Sequence, residues 1–296
     1  MWQQHQVVVA DHRNPAITFL RYTPVRIETE TPADLLKDID QLRDTLDEVG
    51  ETDLIKRADI LHSITQKILT YLRISKNKDP RDSSFLLSIG VSNVYEELDI
   101  TAKLGQDRVE TLHLFASTMW ARFQTGGDPK HLEQAIAYYQ KALLLDNRHV
   151  ECMADLATAF WTRFTRGSHR IQDLDEVVVL YRTILFHAVP GNSKTIEWLN
   201  GLGLALWERY KMTKSIADME HAIFYFRRAS ISYPTPCDPF TLSNLGNILM
   251  AKARAFKDSN EADEAISHYR RALNSVTPLH PHRSAFLSNL GDALAY

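Results

Sequence analysis

Apolar residues along this chain recur every three or four positions over most of its length, the period of a helix that buries one face. Leu35, Ile39, Leu42, Leu46 and Val49 step in this way from Thr31-Pro32-Ala33-Asp34, a helix start with Thr31 as cap and proline in the first turn. Gly50 ends that helix and Thr52 is placed to cap the next. Leu54, Ala58, Leu61, Ile64, Ile68 and Leu72 then carry a second stripe to about Ser75, and the two helices are expected to pair antiparallel. Two heptads are too few to distinguish a coiled-coil seam from ordinary core packing. After the loop "KNKDPRDSS", a further helical stretch runs from about Ser83 to Leu104. The segments "HQVVVA" and "AITFLRYTPVRIE" instead favour strands joined across Asp11–Pro15, a hairpin that must dock on something to persist.

From residue 107 onward the pattern repeats. "ASTMWARF", "ATAFWTRF", "GLALWERY" and "GNILMAKA" each precede a polar break and a second apolar helix, which begins its core stripe at Ala135, Val177, Ala222 or Ala265. The offsets from Ala116, Ala157, Gly203 and Gly246 to those positions are 19, 20, 19 and 19 residues. Gly291 in "FLSNLGDALAY" extends the series, and the five small residues follow one another at 41, 46, 43 and 45 residues. Fixed offsets within modules, with variable lengths between them, describe a helical repeat array. The array is expected as one domain over 107–296, with modules starting near 107, 150, 195, 239 and 284. A 31–106 helical segment, comprising a helix pair and a divergent module, and a 1–30 extended segment precede it.

These residues resemble the tetratricopeptide repeat family. Its first-helix pattern reads here as Leu199, Leu202-Gly203 and Leu206, and its second-helix alanine, aromatic and terminal proline read as Ala222, Phe226 and Pro234. Ala265 with Tyr269 and Ala135 with Tyr139 repeat it, while Val177 departs from the small residue and keeps Tyr181. The resemblance implies an all-α fold, a right-handed α-solenoid of helix pairs. The period exceeds the family's usual unit of about 34 residues. In that respect, and in the aromatic-Arg-aromatic helix ends, the array is similar to those that precede a caspase-like CHAT domain in large fungal proteins.

Each small residue is expected to mark a close approach of the two helices in its module. Glycine inside a helix costs about 1 kcal/mol relative to alanine, so Gly203, Gly246 and Gly291 imply contacts too tight for a methyl group. The pair Gly201 and Gly203 invites comparison with a dinucleotide fingerprint, but Leu206 stands where the third glycine belongs. Trp120, Trp161 and Trp207, with Met250, recur four residues past the small residue and are expected in the module cores. Arg122, Arg163, Arg209 and Lys252 recur two residues further on. Two readings of that basic series stand open: heads that line one groove for an acidic peptide, or stems that pack while the heads stay in water.

The resemblance implies a concave face lined by first helices. By register its candidates are His113, Ser117, Ala154, Thr158, Asn200, Leu204, Ser243, Asn247, Ser288 and Asp292, small and polar residues suited to a peptide.

Net charge changes this picture little: at −3, with 44% hydrophobic and 24% charged residues, the chain lacks the basic footprint of a nucleic-acid or membrane-surface binder. Cys152 and Cys237 fit no metal or disulfide spacing, which places the chain in a reducing, cytoplasmic setting. No leader and no spanning segment is read. His280-Pro281-His282 lacks a third metal ligand, Asp11 and His12 lack a nucleophile, and no nucleophile-elbow, zincin or P-loop motif occurs. No metal or cofactor is expected.

The expected function is therefore a non-catalytic scaffold for a protein or peptide partner. Two alternatives remain at this point. One is an enzyme or accessory subunit with a pocket between the N-terminal segment and the inner array face, with Tyr22, Tyr71 and Tyr95 contributing. The other is self-assembly, through the N-terminal segment or through the last helix, where Leu287 and Leu290 have no following partner helix.

Overall fold

The computed structural model describes residues 8–9, 19–20, 31–49, 51, 53–75, 80–105, 108–189, 191–231 and 237–296. The chain divides into two compact bodies, Arg26–Phe160 and Met1–Val25 with Trp161–Tyr296. In the N-terminal segment, β1 (Val8–Val9) pairs antiparallel with β2 (Phe19–Leu20). The expected turn at Asp11–Pro15, and Tyr22 with it, lie outside the described residues.

The body over Arg26–Phe160 begins with α1 (Pro32–Val49), α2 (Leu54–Ile74) and α3 (Pro80–Lys103). Thr31 and Asp34 cap α1 reciprocally: the Asp34 amide donates to Thr31 Oγ1 at 3.2 Å and the Thr31 amide to Asp34 Oδ2 at 3.0 Å. Leu35 and Ile39 are buried, and Ile39, Leu42, Leu46 and Val49 pack with Ile60, Ile64 and Ile68 of α2. The α1 stripe is thus the core of an α1–α2 pair, and that partner accounts for its heptad-like spacing. Asp53 caps α2 by accepting from the Lys56 amide at 3.0 Å. The expected cap, Thr52, lies outside the described residues.

α4 (Val109–Gly126) and α5 (Pro129–Leu145) form the first module. Their break is "GDP": Gly127 takes φ +72° to end α4, Asp128 caps α5 through the Lys130 amide, and Pro129 fills the first turn. α6 (Val150–Arg163) spans the division between the bodies, and a π-helical turn, Phe164–Ser168, leads from it to α7 (Ile171–His187). In the second body, α8 (Thr195–Thr213) pairs with α9 (Ile216–Ile231), and α10 (Pro239–Phe256) with α11 (Ser259–Asn274). α12 (Arg283–Leu294) packs on α11. The fold class is the all-α solenoid that the repeat pattern predicts. Where α4 uses Gly127 as its left-handed end, α8 and α10 use Lys214 (φ +59°) and Lys257 (φ +55°). Glycine spacing alone gives no sign of these two ends.

The cap of α10 carries a testable charge effect. Asp238 accepts from the Thr241 amide at 3.2 Å, yet burial raises its carboxyl pKa above the usual range in spite of the bonds from Thr241 and Phe240. A folded-state pKa above the unfolded one means that the charged form destabilises the fold at neutral pH, and that stability from this group grows as pH falls through the folded value. Asp238→Asn keeps a capping oxygen without the charge. Its Tm is expected to exceed the parent's at pH 7, with the gap narrowing in acid; thermal melts of both proteins over that pH range check this.

Candidate functional site

Each module is held at the small residue. Ala116 and Ala157 are fully buried, as are Ala135, Ala222 and Ala265 on the second helices. A Cβ built on Gly203 would lie 2.8 Å from Phe226 Cε2, and one on Gly246 would lie 2.6 Å from Tyr269 Cε1. Real Cβ atoms do not approach so closely, so the second-helix ring occupies the space that a methyl group would need. Gly291 does not play this part: it is exposed, and a Cβ there meets nothing within 4 Å. Phe226 and Tyr269 come from helices that follow their glycines, and residues 1–296 hold no such helix after α12.

Gly201 has a role that the repeat spacing does not reveal. Its Cβ would sit 2.7 Å from the Tyr181 ring, which belongs to α7 of the preceding module. The two glycines of "NGLGL" therefore seat two rings, one from each neighbouring second helix. Both lie inside α8 and are buried, so their amides serve the helix and no phosphate loop exists there.

Around these contacts, Trp161 and Met250 are buried, whereas Trp120 and Trp207 are half-buried. The tryptophans lie beside Phe123, Phe164 and Tyr210, with ring centroids 5.7, 5.9 and 5.3 Å apart respectively.

Three of the four cations, Arg163, Arg209 and Lys252, are neither available heads of a groove nor solvated ones. Arg163 Nη2 donates to Asp173 Oδ1 at 2.6 Å, Arg209 Nη2 to Asp218 Oδ1 at 2.7 Å, and Lys252 Nζ to Glu261 Oε1 at 2.8 Å. In every case the acid stands four residues before the second-helix core position, so each pair ties the end of a first helix to the start of its second. Arg209 also reaches Asp175 of α7 at 2.8 Å, and Lys252 reaches Glu220 of α9 at 3.0 Å, both two residues before the core position. One cation thus joins two modules. The hydrogen bond that Arg209 donates to Asp218 raises the Arg209 pKa, and the one that Lys252 donates to Glu261 raises the Lys252 pKa. In the first module His131 stands at the acid position opposite Arg122, so no carboxylate is available there. The signal for these clamps was present as "DLDEV", "DMEHA" and "EADEA", acids at constant distance from the core residue.

The first-helix candidates are drawn largely into the repeat's own framework. His113 Nε2 meets Asp155 Oδ2 at 3.0 Å, Asn289 Nδ2 donates to Ser243 Oγ at 3.2 Å, and Asn200 Nδ2 donates to Thr241 Oγ1 at 2.7 Å. His113 and Ser243 hold equivalent positions, as do Asp155 and Asn289, so one link between first helices recurs. One residue past the small position, Ser117 lies 3.2 Å from the Tyr139 hydroxyl, and Asn247 Oδ1 accepts from the Tyr269 hydroxyl at 2.8 Å. Leu204 takes that position in the module whose ring is Phe226, which has no hydroxyl. Thr158 Oγ1 donates to the Ala154 carbonyl at 2.9 Å. Leu204 and Ser243 are buried and are no part of an accessible face. His113, Ser117, Thr158, Asn200 and Asn247 are half-buried, while Ser288 and Asp292 are exposed.

Reactive groups are few. Burial pushes both Cys152 and Cys237 up to about 12, so their thiols stay protonated and poorly nucleophilic at neutral pH. Among the described residues, no three His, Cys, Asp or Glu side chains are grouped to hold a metal ion. His280 and His282 instead lie against Phe240, with centroids 6.2 and 5.0 Å away. No described helix is long and apolar enough to cross a membrane.

A sequence profile of the tetratricopeptide repeat matches residues 130–149, which hold nearly all of α5 and the turn after it. No curated protein matches the chain. Among solved structures, BtubC from P. vanneervenii is similar at 17% identity with a TM-score of 0.50, over 83% of this chain and 92% of that one. The tetratricopeptide repeat protein TTC0263 of Thermus thermophilus aligns at 13% identity and a TM-score of 0.44, over 79% of this chain and 100% of that one. MamA aligns at 14% and 0.47, over 75% and 98%. The chain thus carries a tetratricopeptide-repeat match over residues 130–149, within a recurring register of helix pairs that shares the fold of BtubC.

Proposed function

We propose that the chain is a non-catalytic scaffold that binds a protein or peptide partner along its first helices, in the cytoplasm. The observation that carries this reading is a polar side chain one position past the small residue in four of the five modules, half-buried Ser117 and Thr158 in one body and half-buried Asn247 with exposed Asp292 in the other, the buried Leu204 being the exception. Each is fixed by its own hydrogen bond or helix position, which supplies ordered polar groups on each body at little entropic cost on binding. Both thiols are free and protonated, which suits a reducing compartment and offers no covalent chemistry.

Site-specific photo-crosslinking tests the reading. A photoreactive residue at Thr158, Asn247 or Asp292 is expected to capture the same partner, and one at Asp40, on the exposed side of α1, is not. Equal capture from Asp40, or turnover of a small molecule by the purified chain with no protein captured from any first-helix site, would overturn it.

A further inference from the structure

The second helices carry a different surface. Nine residues past the core position stand Leu144, Phe186 and Ile231, which are 85%, 84% and 80% exposed. Two residues past it stand Val179 and Phe224, at 58% and 56%. Positions two and nine lie seven residues apart, on one side of a helix. Large apolar side chains so fully exposed at a repeated register point to a contact surface.

On α9 and α11 this surface becomes a groove of about 460 Å³, walled by Phe224 and Ile231 on one side and His268 on the other. Arg227, Arg228 and Arg271 line it with a single carboxylate, Glu264. Arg227 holds that carboxylate with two bonds, Nε to Oε1 at 3.1 Å and Nη2 to Oε2 at 2.7 Å. Arg271 Nη1 lies 3.5 Å from His268 Nδ1, a weak contact that leaves its guanidinium at the surface. The groove is therefore a positive, apolar-walled site on a chain whose formal charge is −3.

We propose that this groove docks an acidic peptide segment of a partner protein, with one apolar side chain between Phe224 and Ile231 and a flanking carboxylate on Arg271. Charge complementarity selects the acidic class, because arginine forks match carboxylates in pairs. The exposed apolar walls select a peptide with a hydrophobic residue over a bare anion. The site stands on second helices and is independent of the first-helix row.

The probe is a fluorescent peptide, Glu-Asp-Glu-Leu-Glu-Asp-Glu, titrated against the full chain by anisotropy at low salt. Saturable binding is expected. The Kd should rise about fivefold in Arg271→Gln and about fivefold in Ile231→Ser, changes at exposed sites that leave the core untouched. Replacing the peptide's leucine by serine should weaken binding similarly, and Asp40→Asn, on the exposed side of α1, should leave it unchanged. Absence of binding would overturn the proposal. So would equal affinity for the leucine-free peptide with full displacement by inorganic phosphate, which marks a simple anion site. Binding to phosphatidylserine vesicles in place of the peptide would overturn it as well.

Discussion

Gly246→Ala is expected to lower the stability of the chain by about 1–3 kcal/mol, the usual cost of overpacking a filled core. The new methyl carbon would stand 2.6 Å from Tyr269 Cε1, and the ring has nowhere to go. Tyr269 is almost wholly buried, and its hydroxyl is fastened to Asn247 Oδ1 at 2.8 Å. Helix propensity acts the other way, since alanine is favoured over glycine by about 1 kcal/mol, so a net loss isolates the steric contact. Trimming the ring with Tyr269→Leu is costly alone, but in combination it should remove the penalty of the alanine. A double-mutant cycle by urea denaturation measures that coupling. Gly291→Ala serves as control: with nothing within 4 Å of its Cβ, only the propensity gain remains, and this variant should be slightly stabilised.

Arg209→Met should cost about 3 kcal/mol, near the lower end for breaking a buried ion pair by removing one partner. Asp218 is 9% exposed and receives two hydrogen bonds from the guanidinium, at 2.7 and 2.9 Å; without them its charge faces the interior uncompensated. Asp175 loses less, because it is 52% exposed and water can take over. Replacing both charges together, in Arg209→Met/Asp218→Leu, should recover most of the loss, as apolar substitutes often match a buried pair. If the single and double variants unfold at the same denaturant concentration, the clamp contributes through packing of the arginine stem alone.

How far such features were legible in the sequence depends on how local their cause is. The α1 cap at Thr31, the "GDP" break after α4 and the core alanines of the second helices follow from chemistry within one or two turns, and all were readable. Gly203 and Gly246 were readable too, because a glycine in a helix interior is costly enough to demand a reason. Gly291 obeys the same spacing and fails, because no described helix sets a ring against it and a Cβ there meets nothing within 4 Å. Gly201 was missed for the opposite reason: its partner, Tyr181, belongs to the preceding module, and spacing within one module cannot show it. The basic series was read from one helix at a time, which hid the acids at matching register on the next. A row of cations invites a ligand until the row of carboxylates beside it is counted. The polar first-helix residues show the same limit, since a hydrogen bond such as His113 to Asp155 spans 42 residues and leaves no local trace.

The account rests on rings seated against glycines, and proton NMR observes such contacts directly. Nuclear Overhauser effects are expected between the α protons of Gly203 and the Phe226 ring, and between those of Gly246 and the Tyr269 ring, with ring-current shifts at both glycines and neither signal at Gly291. Random-coil shifts at Gly203 and Gly246 without cross-peaks to those rings would contradict it.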